Sequence, residues 1–371
     1  MTKVKKIRAK NGKVEALRFV FCISVLLFHA QKYIVGEVSL NNGIHLSLFP
    51  HGAMGVEFFF ILSGFFMAKS IYKSKYAAKL DDENDEISLS KNSLNFLKKK
   101  YLSIFPQHTV AFVFAFISLA LLNNFGIKEI IVKGFDSIPN FLLIQMSGIN
   151  FTNPNHIEWY ISCMLIAMAI IYPICRKYYY NFTRCVAPIS ALLILGYMIY
   201  TTNSLTGVTA WTGLCYKSLL RAIAEIALGT TAFELSRYWG EREYDQKHRI
   251  AFTIIELICF AGTMMYILMT FKRKYEVYTI ILLFLLISIV LSGVSYGNKL
   301  FNNKAVLFLG KMSLPIYLGQ ITAINLTKTY LTGLDENMQI VSVVITTLVL
   351  ALFIMIIGNI INKLLPTTNK K

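Results

Sequence analysis

The sequence is short of charge. Only 15% of its 371 residues are Asp, Glu, Lys or Arg, where an average soluble domain carries about 25%. Acidic side chains are the scarcer half, with 20 Asp+Glu against 37 Lys+Arg and a formal charge of +17. With 55% hydrophobic residues and a mean hydropathy of +0.55, the chain is neither disordered nor a nucleic-acid-binding globule. CxxC pairs are also missing. Cys22, Cys163, Cys175, Cys185, Cys215 and Cys259 fall inside or at the ends of apolar runs, where a thiol serves as small apolar filler rather than as a metal ligand. No metal is therefore expected. The sequence has no glycine-rich nucleotide motif, no internal repeat, and no hydrophilic stretch long enough for a separate soluble domain.

What it does have is a succession of apolar runs of about 20 residues, the length that crosses about 30 Å of hydrocarbon. Ten spans can be read, at 16–35, 53–72, 102–122, 157–175, 186–200, 215–235, 250–270, 278–296, 305–326 and 340–364. The fifth is short, and 138–146 is apolar but too brief to cross, as in a re-entrant segment. The expected fold class is thus all-α, a polytopic integral membrane protein of about ten transmembrane helices whose partner is the lipid bilayer. The first span is too long, and lacks a small-residue cleavage site, to be a removed signal peptide.

Ten spans place both termini on one side, and the distribution of basic residues says which. Lys3, Lys5, Lys6, Arg8, Lys10 and Lys13 mark the N-terminal segment 1–15 as cytoplasmic, while the connection 36–52 has neither Lys nor Arg. The connection 73–100 is rich in lysine and, with Asp81, Asp82, Glu83, Asp85 and Glu86, reads as a flexible cytoplasmic loop. Segment 365–371 is the cytoplasmic tail. Because Lys and Arg sit between apolar runs instead of forming one surface stripe, no nucleic-acid partner is expected. One connection disobeys: Lys272, Arg273 and Lys274 fall on the outer side, either to meet an anionic head group or acceptor or because spans seven and eight are assigned wrongly, the first being preferred.

Ionisable residues inside spans are costly unless paired or placed in a polar cavity, so they are the first candidates for function. Arg18 and His29 are eleven positions apart in the first span. At 3.6 residues per turn they share one helix face, roughly 16 Å apart along the axis, with Arg18 near the cytoplasmic end. Glu57 lies in the second span beside Phe58, Phe59 and Phe60. Arg221 and Glu225 are four apart in the sixth and so face each other. Glu158 and Trp159 open the fourth span at its outer end, where an aromatic belt accounts for Trp159, although its face also suits a sugar. His108, His156 and Lys311 near the interfaces are read as structural, and Glu256 in the seventh span has no evident partner.

An Arg, ten residues and a His in the first span, followed by Gly55-Val56-Glu57-Phe58-Phe59-Phe60-Ile61-Leu62-Ser63-Gly64-Phe65-Phe66 in the second, resembles the membrane-bound acyltransferase family 3. Further echoes are Lys98-Lys99-Lys100 with Ile104-Phe105-Pro106, Glu158-Trp159-Tyr160-Ile161-Ser162, the stretch from Arg221 to Gly229, and Leu309-Gly310-Lys311-Met312-Ser313-Leu314-Pro315-Ile316-Tyr317-Leu318. The resemblance covers essentially the whole chain, 1–371, as a single membrane domain. Three positions depart from the family's common pattern: Ser103 stands where an Arg is frequent, Gln320 where a His often follows the Tyr-Leu pair, and Ser162-Cys163-Met164 where many members have a Glu.

The resemblance implies an integral membrane O-acyltransferase of the bacterial cytoplasmic membrane. It would move an acyl group, acetyl or succinyl, from cytoplasmic acyl-CoA, acetyl-CoA by default, to a hydroxyl of an extracytoplasmic carbohydrate of the cell envelope. Acyl-CoA carries several phosphates and cannot cross a bilayer, so cytoplasmic cations must hold it. Arg18, Lys98, Lys99 and Lys100 are the donor-binding candidates, with Arg suited to bidentate phosphate contacts. His29 then meets the thioester as general base, imidazole being matched to proton abstraction near neutral pH, or takes the acyl group itself. Glu57 is the second catalytic candidate, orienting His29 or bonding the acceptor. Trp159, Arg221 and Glu225 are the candidates for holding the acceptor. A transporter or flippase for a glycan or lipid-linked sugar is the competing reading, since buried Arg221, Glu225 and Glu256 would also suit a translocation path.

Overall fold

A computed structural model describes residues 11–36, 49–74, 86–149 and 151–364. The basic stretch 1–10, the acidic residues from Asp81 to Asp85 and the tail 365–371 lie outside the described residues.

The protein is 83% helical and has no strand among the described residues. Ten long helices follow one another: α1 (Gly12–Ile34), α2 (Gly55–Tyr72), α3 (Glu86–Leu122), α4 (Trp159–Lys177), α5 (Ala187–Thr202), α6 (Lys217–Gly240), α7 (Gln246–Leu268), α8 (Glu276–Ser292), α9 (Lys304–Tyr330) and α10 (Glu336–Leu364). Among the described residues, nine helical segments are long and apolar enough to cross a membrane. The long helix outside that set is α6, which carries Arg221, Glu225, Glu234 and Arg237 and instead buries most of its length in the bundle. The short fifth span is made up by the turns Tyr179–Asn181 and Phe182–Val186, which run into α5 and give a continuous crossing over Tyr179–Thr202.

The region 73–100 is not a loop throughout. Helix α3 already begins at Glu86, because the run from Ile87 to Lys100 interleaves Leu89, Leu94, Phe96 and Leu97 with its polar residues, and Phe96 stacks on Tyr172 of α4 with ring centroids 4.2 Å apart. The segment after α3 forms the surface helix Ile127–Asp136 and then folds back into the protein. Asn140, Leu143, Gln145 and Met146 are buried there, and the Met146 N–H donates to Ser162 Oγ at 3.1 Å.

Helix α1 lies along α9, and α2 along α6. The second contact depends on glycine. A Cβ on Gly64 would strike the carbonyl oxygen of Ile226, and one on Gly229 would strike that of Ile61, so small residues let the two backbones approach, as is usual in membrane bundles. The Lys13 ammonium donates to Glu256 at 2.6 Å and to Ser295 Oγ at 3.1 Å. This buried pair fastens the start of α1 to α7 and gives Glu256 its partner.

Candidate active site

Arg18 and His29 project from one face of α1, as their spacing requires. Arg18 is half-buried and pairs with Glu15 one turn earlier at 3.1 Å. Lys100 of α3 comes close enough to Arg18 for the two charges to interact, while Lys98 and Lys99 are exposed on the other sides of α3. Successive helical residues point about 100° apart, so three consecutive lysines cannot all face one neighbour. The expected cluster therefore reduces to Arg18 with Lys100.

His29 is partly accessible. Its Nδ1 lies 2.8 Å from Oε1 of Gln320 on α9. Because an amide oxygen only accepts, Nδ1 carries the hydrogen and donates it, which leaves Nε2 with a free lone pair. Around His29 stand Tyr33, with ring centroids 6.0 Å apart, and His156, whose Nε2 shares a 2.6 Å hydrogen bond with the Tyr33 hydroxyl. Tyr160 lies within reach of the Arg18 charge, 3.4 Å from Ser63 Oγ, and packs edge-on against Tyr317 at 5.9 Å. The Tyr317 hydroxyl donates to the carbonyl of Ile157. Two cations, Arg18 and Lys100, thus stand about three helical turns from an imidazole with an open nitrogen.

Glu57 is not joined to His29. It is buried, pairs with Arg221 of α6 at 3.3 Å and lies against the carboxyl of Glu225. The reason lies in helix pairing: the glycine contacts press α2 onto α6, which puts Arg221 within reach, whereas the ring of His29 is taken by α9. Arg221 also donates to the carbonyl of Leu205 at 3.1 Å and lies 4.9 Å from the centre of the Trp159 ring. Trp159 is thus buried under a guanidinium and neither joins an aromatic belt nor presents that face to a sugar. Glu225 is buried against the Glu57 carboxyl and within reach of the Arg221 charge, while the close ion pair of Arg221 is with Glu57 rather than with Glu225.

Beside Glu57 is a cavity of about 30 Å³, whose lining includes Phe28, His51, Thr206, Arg273 and Glu276. It has room for ordered water but not for a sugar. Arg273, from the basic connection before α8, donates to Thr206 Oγ1 at 2.5 Å there. Glu276 accepts from the N–H of Leu205 at 2.5 Å and from Ser204 Oγ at 3.2 Å. His51 lies just before α2 and hydrogen-bonds the carbonyl of Phe271 at 3.0 Å; burial lowers its pKa from the ordinary 6.5.

His108 forms a fully buried ion pair with Glu158 at 2.8 Å and reaches the Phe141 carbonyl at 2.9 Å. Both side chains are spent on holding the 138–146 segment, in keeping with the structural reading of His108. Among the described residues no group of His, Cys, Asp and Glu is arranged to hold a metal ion. Gln320, Tyr33, Tyr160 and Tyr317 enter the site from neighbouring turns and helices. Gln320 carried a signal in the sequence as the departure after the Tyr-Leu pair, and Tyr160 and Tyr317 stood in the quoted stretches without a role, while Tyr33 carried none.

The family profile of acyltransferase 3, described as an acyltransferase domain, matches residues 11–358. The chain belongs to that family. No curated protein and no solved structure matches it. An acyltransferase 3 protein is an enzyme that takes an acyl group from a donor to an acceptor, which decides against the transporter reading. This one is a multi-pass membrane protein, and its match runs from the start of α1 into the last turns of α10.

Proposed function

We propose that this acyltransferase carries an acyl group, acetyl in the first instance, from cytoplasmic acyl-CoA to a hydroxyl of an extracytoplasmic glycan in a bacterial cell envelope. Both termini then face the cytoplasm, as the basic residues of the sequence favour. The observation that carries the reading is His29, with Nδ1 committed to Gln320 and Nε2 open, standing about three helical turns above Arg18 on one face of α1.

In this reading Arg18 and Lys100 hold the donor's phosphates, and its thin pantetheine arm runs past Tyr160 and Tyr317. The acceptor hydroxyl oxygen attacks the thioester carbonyl carbon while His29 Nε2 takes the hydroxyl proton. The carbon–sulfur bond then breaks, and the departing sulfur receives that proton from the imidazolium. Direct transfer is preferred over an acyl-histidine because it needs only the one open nitrogen of His29 as base; accumulation of acyl-His29 without acceptor would overturn that preference. Glu57 and Arg221 act one step removed, locking α2 to α6 and the 205 carbonyl so that this part of the bundle keeps its shape. Trp159 backs Arg221, and Glu225 stays beside them within the same buried cluster.

Mass spectrometry of cell-envelope glycans from cells with and without the chain tests the proposal. An added acyl mass that depends on the chain is the expected result, and identical glycan masses in both would refute it.

A further inference from the structure

Lys32 at the end of α1 and Lys328 at the end of α9 stand at the same end of the bundle, because these two helices run side by side in the same direction. His156, just before α4, lies between them. The Lys328 ammonium is 5.9 Å from the centre of the Tyr33 ring, and Tyr33 is hydrogen-bonded to His156. Both lysine charges act on the His156 ring, and Lys32 acts on His29 as well. Two cations thus converge on one pair of rings directly above the base.

Several buried or half-buried cations of this protein have carboxylate partners. Lys13 has Glu256, Arg18 has Glu15, Arg221 has Glu57 and Arg237 has Glu234. Lys32 and Lys328 are exposed, and among the described residues neither is in an ion pair. Asp335, on the connection that follows α9, is engaged as the N-cap of α10, accepting from the Met338 N–H at 2.8 Å. Like charges gathered around one site repel unless an anion joins them, and lysines that merely snorkelled to lipid would spread apart toward the head groups rather than both act on His156.

Resting on the acyl-transfer reading above, we infer that the acceptor is an anionic sugar, and that Lys32 and Lys328 hold its carboxylate or phosphate at the mouth above His29. The edges and faces of Tyr33, His29 and His156 line the place where the sugar ring would sit. A charged group fixed there sets which hydroxyl reaches Nε2, so the lysines select the acceptor and take no part in the bond changes.

The test uses membrane vesicles containing the full chain, radiolabelled acetyl-CoA at the cytoplasmic face, and extracted glycans separated by anion exchange. Label is expected in the retained, salt-eluted fraction. That fraction, purified from cells lacking the chain, then serves as titrated acceptor. K32Q/K328Q should raise its apparent KM by about tenfold or more, the scale of a lost hydrogen bond to a charged group, with the donor KM unchanged, and K32R/K328R should restore it. Label in the unretained neutral fraction would overturn the inference, as would an unchanged acceptor KM in a K32Q/K328Q protein that melts like the wild type. Activity that follows the anionic lipid content of the vesicles instead of the glycan would assign the lysines to head groups and overturn it too. If the wild type transfers no label to any glycan, the acyl-transfer reading fails first and this inference falls with it.

Discussion

Gln320 accepts a hydrogen bond from Nδ1 of His29 at 2.8 Å, joining two residues 291 positions apart in the chain. The bond fixes the ring's orientation and its tautomer, so Gln320 positions the base without touching substrate. Replacing it by leucine removes about 1 kcal/mol of hydrogen bonding, which corresponds to roughly a fivefold loss of kcat. Q320L should therefore lower kcat with the donor KM unchanged, while Q320H, which returns an acceptor nitrogen, keeps most of the rate. Steady-state kinetics with acetyl-CoA varied distinguishes these from a structural defect, which would lower both variants alike.

Donor binding is assigned to Arg18 and Lys100. Losing a charge-assisted hydrogen bond costs about 1.5–3 kcal/mol, so R18Q should raise the KM for acetyl-CoA by about tenfold to a hundredfold, with R18K intermediate because a point charge replaces a planar fork. K100Q should act in the same direction. K98Q and K99Q, which alter exposed lysines, should leave the donor KM within about twofold, since exposed charges contribute little and are screened by salt.

The close approach of α2 and α6 predicts a stability effect that comes from packing rather than from charge. G64A and G229A each put a methyl group against a backbone carbonyl of the facing helix, and overpacking of this kind costs about 1–3 kcal/mol. Thermal unfolding in detergent should show a lowered midpoint for both. G196A is the control, because a Cβ at Gly196 meets nothing within 4 Å; on helix propensity it should be neutral or slightly stabilising.

The His51 contact gives a pH dependence. Burial lowers the His51 pKa below the ordinary 6.5, so the unfolded chain binds the proton more readily than the folded one. By linkage, stability is full above pH 6.5 and is lost as the pH falls below it through the lowered folded value. H51Q, which cannot titrate, should flatten this part of the curve. Unfolding midpoints of the two proteins measured from pH 8 down to pH 5 should converge toward the acid end, and parallel curves would contradict the assignment.

Much of the architecture was legible because membranes impose a simple length and polarity rule, and ten long helices lie where apolar runs were read. Helix α3 was the exception at its start: leucine and phenylalanine between lysines look like a linker until Tyr172 is placed beneath Phe96. Arg18 and His29 could be put on one face from spacing alone, since both are on one helix. Their partners could not. Whether His29 meets Glu57 or Gln320, and whether Arg221 pairs with Glu225 or Glu57, depends on which helices touch, and one-dimensional periodicity does not carry that information. The same limit separated Lys100 from Lys98 and Lys99.

The account stands or falls on His29 as the base. In reconstituted vesicles with acetyl-CoA at the cytoplasmic face and envelope glycan as acceptor, H29A should reduce the initial rate of acyl transfer by about a hundredfold to ten-thousandfold, the usual contribution of a general base. Its unfolding midpoint and donor KM should remain those of the wild type. An H29A protein that is folded and still acylates glycan at the wild-type rate would contradict the account.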